Sequence, residues 1–213
     1  VYRATQTGLN RPVALKMLLG DGRADPRELI RFLAEAEAVA AVRHPHVVQV
    51  YDFGDADGRP YLALEFCPGG TLTDRVSAGR LAPRAAAELI EAVARGVGAA
   101  HDLGIVHRDL KPGNVWALGV MLYEALTGAR PFAGADHFAL LLQVVEEEPP
   151  RPRAVAAGVP RDLELVCLKC LAKEPHERYA TAGALADELR KWLDGEPVSV
   201  RSAGAVEEVA KWA

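Results

Sequence analysis

The chain has 213 residues, of which 50% are hydrophobic and 25% charged, the balance of a water-soluble globular protein with room for one large domain or two small lobes. Its formal net charge of −4 excludes the basic excess with which a nucleic-acid binder displaces counterions from phosphates. No secretory signal and no apolar run near the roughly 20 residues that span a bilayer is visible, and Cys67, Cys167 and Cys170 are too few for a disulfide framework, which suits a reducing cytoplasm.

Val1 to Ala4 and Pro12 to Leu18 are short β-prone runs, and Thr7-Gly8-Leu9-Asn10 between them has the composition of a hairpin turn. Asp25-Pro26-Arg27-Glu28 opens a helix: Asp25 can cap it, Pro26 suits the first helical position, and Glu28 completes a capping box. Leu29, Leu33, Ala36 and Ala40 form an apolar stripe at helical spacing, and His44-Pro45 stops the helix after Arg43. Val47 to Phe53 and Pro60 to Phe66 are two more strands, turned by Gly54-Asp55-Ala56-Asp57-Gly58. Pro68-Gly69-Gly70 is a linker.

Beyond it the chain turns helical. Ala82 to His101 carries Leu89, Val93, Val97 and Ala100 on one face, with Gly104 where a C-terminal cap belongs. Trp116 to Thr127 is apolar almost all round, which predicts full burial, and Gly128 ends it. His137 to Glu147, Arg161 to Ala172 and Ala182 to Leu193 are three further amphipathic helices. The layout is α+β: a small β-rich lobe over residues 1–66, a hinge near Glu65 to Gly70, a larger helical lobe over residues 67–194, and a linker tail over residues 195–213.

The most specific motif is His107-Arg108-Asp109-Leu110-Lys111-Pro112-Gly113-Asn114. It resembles the catalytic loop of protein kinases at every fixed position, including the lysine typical of serine/threonine kinases. Val13-Ala14-Leu15-Lys16 resembles the strand whose lysine grips the α- and β-phosphates, and Leu64-Glu65-Phe66-Cys67 resembles the kinase hinge. Pro160-Arg161-Asp162-Leu163-Glu164, Cys167-Leu168-Lys169-Cys170-Leu171, Arg178-Tyr179 and Trp192-Leu193 look like the C-terminal lobe of bacterial receptor-like kinases. The chain thus resembles the eukaryotic-type serine/threonine protein kinases of bacteria, the planctomycete group above all. That resemblance implies a bilobal protein-kinase-like fold, with an αC-type helix in the N-lobe, and with ATP and Mg²⁺ as cofactors.

It also implies the site residues. Asp109 would accept the proton of the attacking hydroxyl, Lys111 would neutralise the transferring phosphoryl group, and Asn114 would hold a Mg²⁺. Lys16 would grip phosphates, paired with Glu35 of the following helix; Glu37 is the exposed alternative. Val1 and Ala14 would line the adenine pocket, and backbone groups of Glu65 and Cys67 would hydrogen-bond adenine. Cys167 and Cys170 are expected as core residues on a helix, since no second C-x-x-C pair exists and only His176 is close in sequence.

The chain departs from the family in two places. The Gly-rich loop would precede Val1, and with no initiator methionine the chain is expected to begin inside its parent. Between Asn114-Val115 and Trp116-Ala117-Leu118-Gly119 the hairpin, D-F-G motif, activation loop and A-P-E motif are all missing. Mg²⁺ binding is therefore expected to be impaired, and Trp116 stands where a small residue would floor the adenine pocket. Asn114 is equally placed to cap a helix starting at Val115. Arg178, whose family partner lies in the missing A-P-E motif, is expected to be orphaned and to swing to solvent.

Three functional readings follow: a serine/threonine kinase by family that is inactive or impaired as it stands, a non-catalytic pseudokinase or scaffold, or a fragment or mis-joined gene model of an active kinase. ATP is the expected small-molecule partner, and the sequence leaves the protein substrate and the oligomeric state open. A cytoplasmic location is expected, with membrane anchoring open for a longer parent. Val206, Val209, Ala210 and Trp212 form a short amphipathic stretch in the tail.

Overall fold

The structure is a computed structural model that describes residues 1–17, 26–56, 59–104 and 113–200. The cap assigned to Asp25, the side chains of Pro26, Glu28 and Glu35, the loop from His107 to Pro112 and the tail stretch from Val206 lie outside what it describes. The chain divides into two compact units, Val1–Gly70 with Ala99–Ile105, and Thr71–Gly98 with Val106–Ala213.

The first unit is an antiparallel sheet with one helix. Strands β1 (Tyr2–Gln6), β2 (Arg11–Met17), β3 (Val50–Ala56) and β4 (Arg59–Glu65) lie in the order β1-β2-β4-β3. Thr7 to Asn10 makes the predicted turn, with Asn10 at φ 48°, a left-handed conformation that asparagine tolerates better than most residues. Strand β3 starts later than the sequence suggests and runs to Ala56, with a register shift between Val50 and Asp52. Helix α1 covers Pro26–Ala41. Among its described side chains Phe32 and Ala36 are buried, so Ala36 of the expected stripe faces inward, whereas Leu33 and Ala40 of that stripe are exposed. The inward face is thus turned by about one residue, set by which side chains meet Leu62 and Leu64 of β4.

The second unit is helical: α2 (Leu72–Ser77), α3 (Pro83–Asp102), α4 (Gly113–Thr127), α5 (His137–Glu146), α6 (Pro152–Val155), α7 (Arg161–Cys170) and α8 (Ala182–Leu193), with the end of α3 from Ala99 belonging to the first unit. The short α2 was not legible as a hydrophobic pattern; a capping box between Thr71 and Asp74 starts it. In α3 the fully buried line is Ala87, Ile90 and Ala94, and the expected face at Val93 and Val97 is only half-buried. Gly104 and Gly128 close α3 and α4 at φ 67° and 75°, left-handed values that favour glycine at a helix end.

Helix α4 is the axis of the core. Leu118, Leu122, Tyr123, Ala125 and Leu126 are buried, but Ala117 is exposed and Trp116, Val120 and Met121 are half-buried, so the predicted full burial holds on one side of the helix only. It packs on α7 at Gly119, where a Cβ would stand 2.5 Å from Cys170 Cβ, so the two backbones approach only because that side chain is missing. Three buried carboxylates are partnered. Glu91 of α3 meets Arg95 at 3.0 Å and Arg190 of α8 at 3.2 Å, Glu164 accepts the Arg153 amide at 2.8 Å, and Glu188 accepts the Ser199 amide.

Candidate functional site

Strand β2 carries the candidate nucleotide-binding residues of the first unit. Alternation along a strand puts Ala14 and Lys16 on the same face. Ala14 pairs with Leu64 and Lys16 with Leu62 of β4, and residues directly opposite in an antiparallel ladder share a face. Leu62 and Leu64 belong to the cluster with Phe32 and Ala36, so Ala14 and Lys16 lie on the α1 side of the sheet, both half-buried. Val1, just ahead of β1, has the parity of Arg3, which pairs with Ala14, and is 81% exposed. Leu62 and Leu64 share that face with Ala14 and Lys16, as the alternation in Tyr61-Leu62-Ala63-Leu64 allows.

Glu35 lies in α1 next to buried Ala36, and Glu37 is exposed. Glu65 ends β4. Its amide donates to the Gln49 carbonyl at 2.9 Å and its Oε2 accepts the Gln49 amide at 3.3 Å, which fixes the hinge end of the strand to the segment before β3. Cys67 follows as an exposed free thiol. A face with a small residue, a cation and a following extended backbone fits an adenine ring and its phosphates chemically.

The remaining candidate residues belong to the second unit. Asp109 and Lys111 lie outside the described residues. Asn114 is the second residue of α4 and only 3% exposed. It therefore does not cap a helix starting at Val115: the helix begins at Gly113 and takes Asn114 into its first turn. Among the described residues no three acidic, histidine or cysteine side chains converge as metal ligands, and a buried helical asparagine does not supply them.

Beside that junction the structure corrects the expectation for Arg178. Its guanidinium is half-buried and does not swing out. Nε donates to the Ala172 carbonyl and a terminal nitrogen to the Lys173 carbonyl, each at 2.7 Å, and Cζ sits 4.8 Å from the Trp116 ring centroid. The Trp116 ring stacks on Phe132 with 6.0 Å between centroids and 6° between planes. Lys173 Nζ lies 4.5 Å from Phe132 and 5.3 Å from Trp116. Carbonyls just beyond α7 thus stabilise Arg178, those of Gln143 and Val144 in α5 stabilise Lys173, and aromatic faces serve both cations. Burial lowers the affinity of both for their protons, opposed by Glu174 at Arg178 and by Glu148 and Glu147 at Lys173.

Cys167 and Cys170 are fully buried core residues of α7, as expected; Cys167 Sγ donates to the Gly119 carbonyl at 3.6 Å. Burial pushes both thiols well above their ordinary range, the opposite of what thiolate ligation needs. The described helices include none long and apolar enough to cross a membrane.

Comparison with known proteins places this geometry. Residues 1–115 match the protein kinase domain family. Serine/threonine-protein kinase PknB of Mycobacterium tuberculosis is 32% identical over 257 aligned positions, covering 92% of this chain and 41% of the relative. PknB of Mycolicibacterium smegmatis is 32% identical over 256 positions, with the same two coverages. The chain thus spans about two fifths of the length of these curated relatives. Among solved structures, the kinase domain of Mycobacterium tuberculosis PknI superposes with a TM-score of 0.68 at 23% identity, covering 89% of this chain and 88% of that one, which fixes the fold as kinase-like α+β. With more than half its length inside the family profile and serine/threonine kinases as its relatives, the chain belongs to the protein kinase domain family, among the bacterial eukaryotic-type serine/threonine kinases.

Proposed function

We propose that this chain is a serine/threonine protein kinase domain whose own ATP-dependent phosphoryl transfer to protein hydroxyls is abolished or severely impaired. The observation that carries this reading is α4: one uninterrupted helix, Gly113–Thr127, holds both Asn114 and Trp116 with a single residue between them. In the family the aspartate that binds the principal Mg²⁺ and the platform for a protein substrate lie between those two landmarks. Phosphoryl transfer is almost wholly positioning and charge neutralisation, so losing that segment removes the main source of both.

In this reading Asp109 would be the proton acceptor and Lys111 the phosphoryl cation, with Asn114 withdrawn into the helix. Lys16, paired with Glu35, would hold phosphates, and Val1, Ala14, Glu65 and Cys67 would hold adenine. The lobes would run over residues 1–66 and 67–194, followed by a linker at 195–213; the planctomycete-like grouping rests on the C-lobe motifs. A cytoplasmic location goes with it for this chain. Purified chain with Mg-ATP is expected to show no autophosphorylation. Phosphate incorporation that disappears in Asp109→Asn would overturn the proposal.

A second reading, that Val115-Trp116 joins two parts of a gene for an ordinary kinase, is favoured by the alignment itself. The 257 aligned positions of the PknB match draw on 92% of 213 residues, about 196, leaving about sixty positions of the relative without a counterpart here. The family profile also ends at Val115. Coding sequence for D-F-G and A-P-E between those two codons in genomic DNA would establish it; contiguous codons in DNA and transcript would exclude it. A non-catalytic binding module is separated from both by titrating ATP in a thermal-shift assay, where it predicts a shift that does not depend on Mg²⁺.

A further inference from the structure

The helical unit contains a cavity of about 180 Å³ where the segment before α3, the end of α4 and the turn between α6 and α7 meet. Buried Leu126 and Val159 are its apolar floor, Leu81 and Pro83 form one wall, and exposed Gly158 and Arg80 stand at its opening. The Leu81 amide donates to the Ala125 carbonyl at 2.8 Å, which holds that wall against α4. Both terminal nitrogens of Arg80 lie 3.7 Å from where a Gly158 Cβ would stand, so the glycine leaves the guanidinium lying beside an unobstructed opening. Among the described residues no hydrogen bond, ion pair or ring contact engages that guanidinium. Glu88 of α3, Glu124 of α4 and Glu164 of α7, on the helices around the cavity, each meet a different arginine: Arg84 at 3.0 Å, Arg130 at 3.7 Å and Arg151 at 3.9 Å.

We propose that this cavity binds a small monocarboxylate, its branched or cyclic apolar group on Leu126 and Val159 and its carboxylate on Arg80. An exposed arginine by itself is simply hydrated; the apolar cavity beside it is what gives the cation a ligand to hold. An apolar cavity of roughly 150 Å³ is large enough for benzene, so this one takes a hydrocarbon group of similar size. The planar guanidinium meets a carboxylate through two parallel N–H···O bonds, a match that a single point charge does not offer. Inorganic phosphate would leave the apolar floor uncovered and finds no N–H on Pro83. A neutral apolar molecule would fill the floor and leave the cation unused. A ligand of about eight non-hydrogen atoms with one exposed ion pair binds weakly, with a Kd in the millimolar range. This inference does not depend on any phosphoryl-transfer activity.

Titrating the full chain with 4-methylpentanoate to about 50 mM, at constant pH and ionic strength, and following its backbone amides by NMR tests the proposal. The amides of Arg80, Leu81, Gly158 and Val159 are expected to shift together and saturate, while those of β2 and β4 stay in place. Acetate, which lacks the apolar group, and 4-methylpentanamide, which lacks the charge, should each bind at least tenfold more weakly. Arg80→Gln should weaken 4-methylpentanoate at least fivefold. Gly158→Val, at a glycine whose backbone is not left-handed, puts a side chain into the opening and should abolish binding. The amide spectrum of each variant away from the cavity reports whether it has folded. Shifts that fail to saturate or that map elsewhere, equal binding of the amide or of acetate, or wild-type affinity in a folded Arg80→Gln variant would each overturn the proposal.

Discussion

In the second unit, buried side chains of α3, α4, α7 and α8 form one continuous cluster around Leu122, Leu163, Leu185 and Leu189, all at 0% exposure. In the first unit the corresponding buried cluster is Phe32, Ala36 and Leu62, with Val50 and Leu64 against it. There the ladders β1–β2, β2–β4 and β3–β4 hold the unit, helped by Arg11 over Tyr51 at 3.5 Å and Arg3 over Phe66 at 5.0 Å. The difference teaches where each unit is fragile. Packing losses fall on the helical unit, because buried apolar area is its main source of stability. The sheet unit, which carries the candidate nucleotide residues, depends more on strand pairing.

The comparison is sharpest at Leu122. Replacing it with alanine should destabilise the helical unit by about 3 kcal/mol, from lost burial plus the cavity left behind. Hydrogen exchange should show protection falling in α4, α7 and α8 while β2 and β4 keep theirs; a parallel loss in the strands would mean that the two units unfold together.

Alkaline pH should distinguish the units as well. Burial raises the Cys167 and Cys170 thiols above 9.0, so the unfolded chain releases those protons first. Stability from this source is complete below about pH 9 and falls above it by about 1.4 kcal/mol per thiol for each pH unit. The urea midpoint of the helical unit should drop between pH 8 and pH 10, and Cys170→Ala should flatten that drop. In the native protein a thiol reagent should modify exposed Cys67 and reach Cys167 and Cys170 only on unfolding.

Removing the ring under Arg178 is a smaller test. Trp116→Leu keeps most of the apolar contact but removes the aromatic face, and should cost about 1 kcal/mol. Trypsin should then cut after Lys173 or Arg178 faster than in the wild type; unchanged cleavage would show that the carbonyls of Ala172 and Lys173 suffice. The smallest expected effect is at the start of α8, where Thr181 Oγ1 accepts the Ala184 amide at 3.0 Å. Thr181→Ala should lower thermal stability by about 1 kcal/mol or less.

Much of the fold was legible because local signals agreed. Pro26 placed the start of α1, Gly104 and Gly128 marked the ends of α3 and α4, and the apolar run from Trp116 announced a helix. The faces were less legible. Leu33 and Val93 match helical spacing as well as Phe32 and Ile90 do, and only the neighbouring elements decide which set is covered. The short α2 had no periodic signal to read. Of the candidate site, residue types and spacing marked Ala14, Lys16, Glu65 and Cys67, while the face they share with Leu62 and Leu64 needed the strand register.

Family membership and strand and helix order are properties of residue order, carried by motifs whose chemistry tolerates little substitution. The surroundings of the residues near Val115-Trp116 were decided by tertiary structure alone. Asn114 was drawn into α4, and Arg178 settled on Trp116 and the carbonyls of Ala172 and Lys173. A cation's or an amide's partner is chosen by distance in space, and residues 116, 132, 173 and 178 meet only once α4 and α7 have packed.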